Sequence, residues 1–545
     1  MSIRADHSRR SQVIAPHGMV ATSQPLAVRV GVDVLKNGGH AVDAAIAVNA
    51  MLGLVEPMSC GLGGDLFAIV WDAKTEALVG FNGSGRAPQA MTRELFSAWD
   101  LDRIPDRGPL SWTAPGCVDG WFTIHDRFGR LPIDELLGPA IAYAESGFPV
   151  SPVIGRMWKA AEERLAADPG ASATFLVGGR APKTGELMRN PDLAASLRAV
   201  CAGSRDAFYR GSIAERIVAC AEAVGGLLRH EDLADHTSTW DAPVFVRYRG
   251  YNVWELPPNG QGIAALQMLG ILEGFDLAGM ERGSAELLHL MIEAKKPAYE
   301  DRARYYADPA FADVPVDELL SPGYAARRRQ QIVQSAAATR VPAGDPRLKA
   351  GETVYLTVVD DERNAVSFIQ SIYSDFGSGI VPPGTGFALQ NRGSLFSLDP
   401  DHPNCLEPGK RPFHTIIPAF VTREGRPVFS FGVMGGDMQP QGHVQILVNR
   451  LDFGMDVQAA GDALRWRHVG SSTPTGERMR DGGLVWLESG FPQSTFDGLR
   501  AKGHEVEFRP YGPGFGGYQG IWIDPETNML HGGSESRKDG CAIGY

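Results

Sequence analysis

Residues 351–381 read GETVYLTVVDDERNAVSFIQSIYSDFGSGIV, and the rest of the chain is organised around them. Thr353 opens a β-branched, apolar run to Val359. Five polar residues follow, Asp360 to Asn364, and the apolar pattern resumes from Ala365 to Tyr373. This alternation predicts a β-hairpin with a five-residue loop. Upstream, Gln331 to Glu352 is short of large apolar residues and carries three consecutive alanines, two prolines and two glycines, so it predicts an exposed, flexible segment. A loose segment running into a Thr that begins a strand is what cleavage before that Thr would require.

If the Glu352-Thr353 bond breaks, Thr353 gains a free α-amine beside its own hydroxyl. Such an amine titrates at about 7.7 to 8.0 in model compounds. It can therefore take the hydroxyl proton near neutral pH and leave a nucleophilic oxygen. Taken alone, Thr353 reads far better as an ordinary strand threonine than as a nucleophile.

The wider pattern is more specific. Thr353-x-Tyr355-x-Thr357-Val358-Val359-Asp360, then Asn364-Ala365-Val366-Ser367, then Phe376-Gly377-Ser378-Gly379-Ile380-Val381 resembles the start of the small subunit in the gamma-glutamyltranspeptidase family. GMVATSQPLA, GGHAVDAAIA and VEPMSCGLGGD near the N-terminus resemble the opening of the same family. The segments Thr113 to Trp121, Leu131 to Ala144, Glu255 to Leu272 and Leu287 to Tyr306 resemble further parts of its large subunit.

The resemblance implies an N-terminal-nucleophile hydrolase with an α+β fold, a four-layer αββα sandwich. It also implies a precursor that cuts itself into residues 1–352 and 353–545, the large and small subunits of one interwoven domain. Thr353 would be the nucleophile, Ser371 the second hydroxyl that hydrogen-bonds it, and Gly435 and Gly436 the pair whose N–H groups stabilise the oxyanion. An arginine binds the substrate's α-carboxylate in the loop where Arg86 stands one or two places away; the plain alternative is a surface arginine closing a turn.

Where family members read a γ-glutamyl group, this chain has Tyr373, Arg392, Leu395, His414 and Thr415. The family's Asp at the Leu395 position pairs with the substrate's α-ammonium, which a leucine cannot do. A buried cation without its partner would cost several kcal/mol. Arg392 replaces a neutral amide and presents a fork that fits a carboxylate. The pocket therefore predicts an amide substrate that carries a carboxylate but no ammonium, as in the oxamate amidohydrolase and cephalosporin-acylase branch. His414 either contacts that carboxylate or packs beneath it.

The remaining sequence bounds the answer. At 545 residues with 43% hydrophobic and 21% charged content, the chain can bury a large core. A net charge of -12 disfavours nucleic acid or an anionic membrane surface as the main partner. No signal-peptide-length or membrane-spanning apolar run is evident, so a cytoplasmic protein is expected.

The six cysteines lack CxxC or zinc-ligand spacing and predict free thiols. Cys60 to Asp65 lacks the GK[ST] and GxGxxG signatures, so its glycines predict tight turns and close packing, with no phosphate site. Ala41 to Val55 reads as a buried helix, and the 162–164 charges as a solvated helix face. Neither HExxH nor GxSxG occurs, and no metal or cofactor is implied. Three functions stay open: the carboxylate-reading amidohydrolase, a γ-glutamyl hydrolase or transferase, and a non-catalytic scaffold. The oligomeric state is open too.

Overall fold

The computed structural model describes residues 10–341 and 353–545. The hairpin forms as its sequence predicts: strands Val354–Val359 and Ala365–Ser371 pair antiparallel around a loop over 360–364. The second strand stops at Ser371, two residues before Tyr373, because Tyr373 takes a φ of 74° that no strand accommodates.

The hairpin lies at the centre of a seven-stranded sheet. Its strand order is Cys541–Gly544, Met19–Thr22, Val354–Val359, Ala365–Ser371, Asp65–Asp72, Ala77–Gly83 and Thr239–Asp241. A second seven-stranded sheet runs Val13–Ala15, Leu530–Ser534, Gly517–Ile523, Arg426–Met434, Ala419–Arg423, Tyr251–Glu255 and Val244–Tyr248. All strand pairs within these two sheets are antiparallel.

Period-2 alternation assigns each hairpin side chain to a face. Val354, Leu356 and Val358 join a core with helices Pro25–Lys36 and Ala41–Val55. Tyr355, Ile369, Phe67 and Ile69 point the other way and meet Phe420, Met434 and Ile521 of the second sheet. Helices Gly262–Leu272, Ala285–Tyr305 and Met438–Leu447 cover that sheet's outer face. The result is the αββα sandwich that the resemblance implied.

Helix Ala41–Val55 is buried at every position, as its near-continuous apolar sequence predicts. Its start is fixed by His40 and Asp43, which form a reciprocal cap, and by Asp360 of the hairpin loop, whose carboxylate accepts from Ala41 N at 3.1 Å. The glycine-rich turn before Asp65 packs as closely as expected. A Cβ on Gly64 would lie 2.4 Å from Gln370 Nε2, and Gln370 clasps both backbone groups of Gly61 at 2.8 and 2.9 Å.

Near the C-terminus, Gly517–Ile523 turns at Asp524, which is hydrogen-bonded to Asn528 and Met529, and the chain returns as Leu530–Ser534. Two expectations need correction. Arg164 is half-buried, 3.6 Å from Asp375, instead of lying on a solvated face. Upstream of the hairpin, residues 331–341 are largely exposed but pinned: Ala337 N donates to Lys502 O at 2.6 Å, and Ala338 N donates to Glu293 at 3.1 Å. Glu352 lies outside the described residues. Among those described, all six cysteines are free thiols and no helix is long and apolar enough to cross a membrane.

Candidate active site

Thr353 immediately precedes its strand and is 1% exposed. The register pairs Val354 with Gln370, so Thr353 stands next to Ser371, and its hydroxyl donates to Ser371 Oγ at 3.4 Å. Ser371 Oγ also accepts from Tyr373 N at 2.8 Å, a bond made by the same backbone reversal that ends the strand.

Gly435 and Gly436 end strand Arg426–Met434 of the opposing sheet with φ of 113° and 57°. Glycine is required at Gly435 on space as well, since a Cβ there would lie 3.0 Å from Gly516 Cα. The loop is braced from behind. Gln261 Nε2 donates to Gly436 O at 3.0 Å and to Thr415 O at 2.7 Å, while its Oε1 accepts from Arg302 at 2.6 Å. Arg302 in turn holds Asp437 at 2.6 Å.

Arg392 is fully buried. Nη1 donates to Thr415 Oγ1 at 2.6 Å, and the guanidinium carbon lies 4.6 Å from the centre of the Tyr373 ring. Nε and Nη2 have no hydrogen-bond partner among the described residues. Burial pulls the guanidinium down to about 10, against the charge of Asp65, so it remains a cation at neutral pH. Leu395 is buried beside this group and, with Tyr373, lines a cavity of about 210 Å³ whose walls include Asp106 and Glu477.

His414 packs beneath this arrangement. Its ring lies 4.7 Å from that of Phe67, its Nδ1 accepts from Ile416 N at 3.4 Å, and its Nε2 therefore carries the hydrogen donated to Asp65 at 3.0 Å. Burial, with the charges of Arg392 and Arg411, holds it neutral. Arg86 is half-buried and donates to Thr237 O at 3.4 Å, the carbonyl that Arg411 also reaches at 3.3 Å. Among the described residues, no hydrogen bond joins Arg86 to Thr353, Arg392 or Thr415.

Two contributors escape a sequence reading. Asp65, at the end of the glycine-rich turn, collects donors from Gly85 N at 2.9 Å, Gln390 Nε2 at 3.0 Å and His414. Gln261 does the bracing described above. Local pattern carries little sign of either role, because their partners lie 20 to 349 residues away along the chain. The one hint was an acidic residue closing a glycine turn inside an otherwise apolar strand.

A separate group, His289, Glu293 and His504, brings three metal-type donors within 4.8 Å of one another. His289 Nδ1 and His504 Nε2 are hydrogen-bonded to each other at 2.8 Å, and the Lys296 ammonium lies 2.6 Å from Glu293. A second cation would have to displace both interactions.

A buried Thr at a strand start, a neighbouring hydroxyl and a braced glycine pair from the facing sheet supply the parts for acyl transfer. The comparisons agree. Residues 27–545 match the family model of Gamma-glutamyltranspeptidase, and the chain belongs to that family of N-terminal-nucleophile hydrolases.

It is 40% identical to a glutathione hydrolase-like YwrD proenzyme of Bacillus subtilis over 98% of this chain and 99% of that one. With the oxamate amidohydrolase proenzyme of Klebsiella pneumoniae it shares 35% identity over 98% and 100%. The crystal structure of a cephalosporin acylase from Bacillus halodurans superposes with a TM-score of 0.91 at 44% identity, covering 99% of this chain and 97% of that one.

Proposed function

We propose that this chain is a self-processing amidohydrolase whose substrate is a small amide bearing a carboxylate. In this reading the bond before Thr353 is cut, giving subunits of residues 1–352 and 353–545. The new α-amine then takes the Thr353 hydroxyl proton as the oxygen attacks the substrate carbonyl. The N–H groups of Gly435 and Gly436 hold the oxyanion, Ser371 orients the nucleophile, the amine departs and water hydrolyses the acyl-Thr353 ester. Arg392, Thr415 and Tyr373 form the carboxylate seat. His414 packs beneath it, hydrogen-bonded to Asp65, and Arg86 makes no hydrogen bond to the seat among the described residues.

The observation that carries the substrate assignment is Arg392. A fully buried guanidinium with two nitrogens lacking partners is a costly arrangement, and a bidentate carboxylate relieves it. Leu395 supports the absence of an ammonium at its own position, where it offers a cation no counter-charge; the carboxylates of Asp106 and Glu477 stand elsewhere on the cavity wall. The proenzyme names of the relatives support the cleavage step.

The test is a comparison of kcat/KM for glutaryl-p-nitroanilide, oxamate and γ-glutamyl-p-nitroanilide on the purified protein. A glutaryl or oxamate rate at least tenfold above the γ-glutamyl rate is expected. A dominant γ-glutamyl rate would favour the second reading, a glutathione-type hydrolase, for which the similarity to the YwrD protein speaks. An uncut chain inert toward all three would point to a scaffold.

A further inference from the structure

Asp65 has no part in the chemistry above, yet it is fully buried and stands directly across the strand pair from Ser371. Residues in such register have side chains on one face, with Cβ atoms about 4.5 to 5.5 Å apart. Thr353, Ser371 and Asp65 thus form a row at the mouth between the sheets, with one hydroxyl between the nucleophile and a carboxylate. The partners of Asp65 are all donors: Gly85 N, Gln390 Nε2 and His414 Nε2. The charged groups facing it are Arg392 and Arg411, both cations, while His414 is neutral.

This inference rests on the carboxylate-seat reading and extends it to the product. Hydrolysis changes the charge of what the seat holds. Water adds its oxygen to the acyl carbon as the ester bond to Thr353 breaks. One water proton returns to the Thr353 oxygen, and the other leaves as the new acid ionises. A monoanionic substrate becomes a dianionic product, and a seat built from buried cations alone would hold that product more tightly than the substrate.

We propose that Asp65 is a specificity residue that repels the second carboxylate as it forms beside Ser371, favouring capture of the monoanion and release of the dianion. One unit charge at about 6 Å and an effective dielectric of about 20 corresponds to roughly 100-fold in binding.

The test measures dissociation constants by calorimetry on the mature wild-type protein at about pH 9, where Asp65, whose carboxyl titrates at about 7, carries its full charge. The ligands are glutarate, the product-like dianion; 5-oxohexanoate, a monoanion with a ketone in place of the amide; and 2-hexanone, which has no carboxylate. Glutarate should bind at least tenfold more weakly than 5-oxohexanoate. In Asp65→Asn that ratio should fall at least tenfold, whereas a general loosening of the site would weaken both ligands together. Should the Asn variant fail to fold, the wild-type ratio still decides. Glutarate binding as tightly as 5-oxohexanoate would overturn the role of Asp65 alone. 5-Oxohexanoate binding no better than 2-hexanone would overturn the carboxylate seat, and this inference with it.

Discussion

The Arg392 guanidinium lies over the Tyr373 ring at 4.6 Å, and the only hydrogen bond its side chain makes among the described residues is the one to Thr415. The ring supports the cation from below without occupying its donors, so the fork stays available to a planar anion. Tyr373 is held there by its left-handed backbone and by the hydrogen bond its N–H donates to Ser371 Oγ, which couples the seat to the nucleophile's neighbour.

Replacing Arg392 with Met should raise KM for glutaryl-p-nitroanilide by about 100-fold while barely changing that for the butyryl analogue, since a charge-assisted bidentate contact is lost and little volume is. Steady-state kinetics on the two substrates check this. Equal losses on both would mean that the arginine is structural.

Thr353→Ala should leave an uncut chain of 58.7 kDa on denaturing gels. The wild type should give bands near 38 and 21 kDa, in the ratio of 352 to 193 residues. Amide turnover should vanish with cleavage. N-terminal sequencing of the smaller band should begin Thr-Val-Tyr-Leu.

Ser371→Ala removes the hydroxyl at 3.4 Å from Thr353 and with it the acceptor of the Tyr373 N–H. A lost hydrogen bond of this kind is worth about 1 kcal/mol. We expect kcat to fall by about fivefold with KM nearly unchanged, and Ser371→Thr to restore it. A rise in KM with unchanged kcat would argue against a role at the nucleophile.

Gln261→Leu unties the Gly436 and Thr415 carbonyls at once. The rate should drop by about tenfold, less than the roughly 100- to 1000-fold typical when an oxyanion donor itself is removed. Single-turnover acylation, measured on a fully cleaved preparation, separates this effect from impaired processing.

Burial raises the Asp65 carboxyl from its ordinary 3.8 up to about 7, against the charge of Arg392. Between those values the unfolded chain releases this proton before the folded one does, so the contribution of Asp65 to stability declines as pH rises through that window and is level above it. Asp65→Asn should therefore gain melting temperature relative to wild type from about pH 4 to about pH 7, with a constant offset beyond. A difference that stays flat across the window would contradict the shift.

The hairpin was legible because its signal is local. Asp360 to Asn364 interrupts two apolar runs, and the loop falls on those five residues. The buried helix Ala41–Val55 was equally plain, its side chains leaving no polar face to expose. Arg392 could be singled out by residue type against the family pattern. Asp65 and Gln261 could not, since each acts on chain segments that only the folded sheets bring near, such as His414 for Asp65 and Gly436 for Gln261.

The strand Val354–Val359 is hydrogen-bonded on one side to Met19–Thr22 and on the other to its own hairpin partner, which in turn borders Asp65–Asp72. Sequence from both sides of position 353 is therefore woven strand by strand into one sheet. Severing the backbone there would add two chain ends without creating a second cooperative unit. Heat should melt the cut protein in a single calorimetric transition, and neither fragment made alone should find its fold.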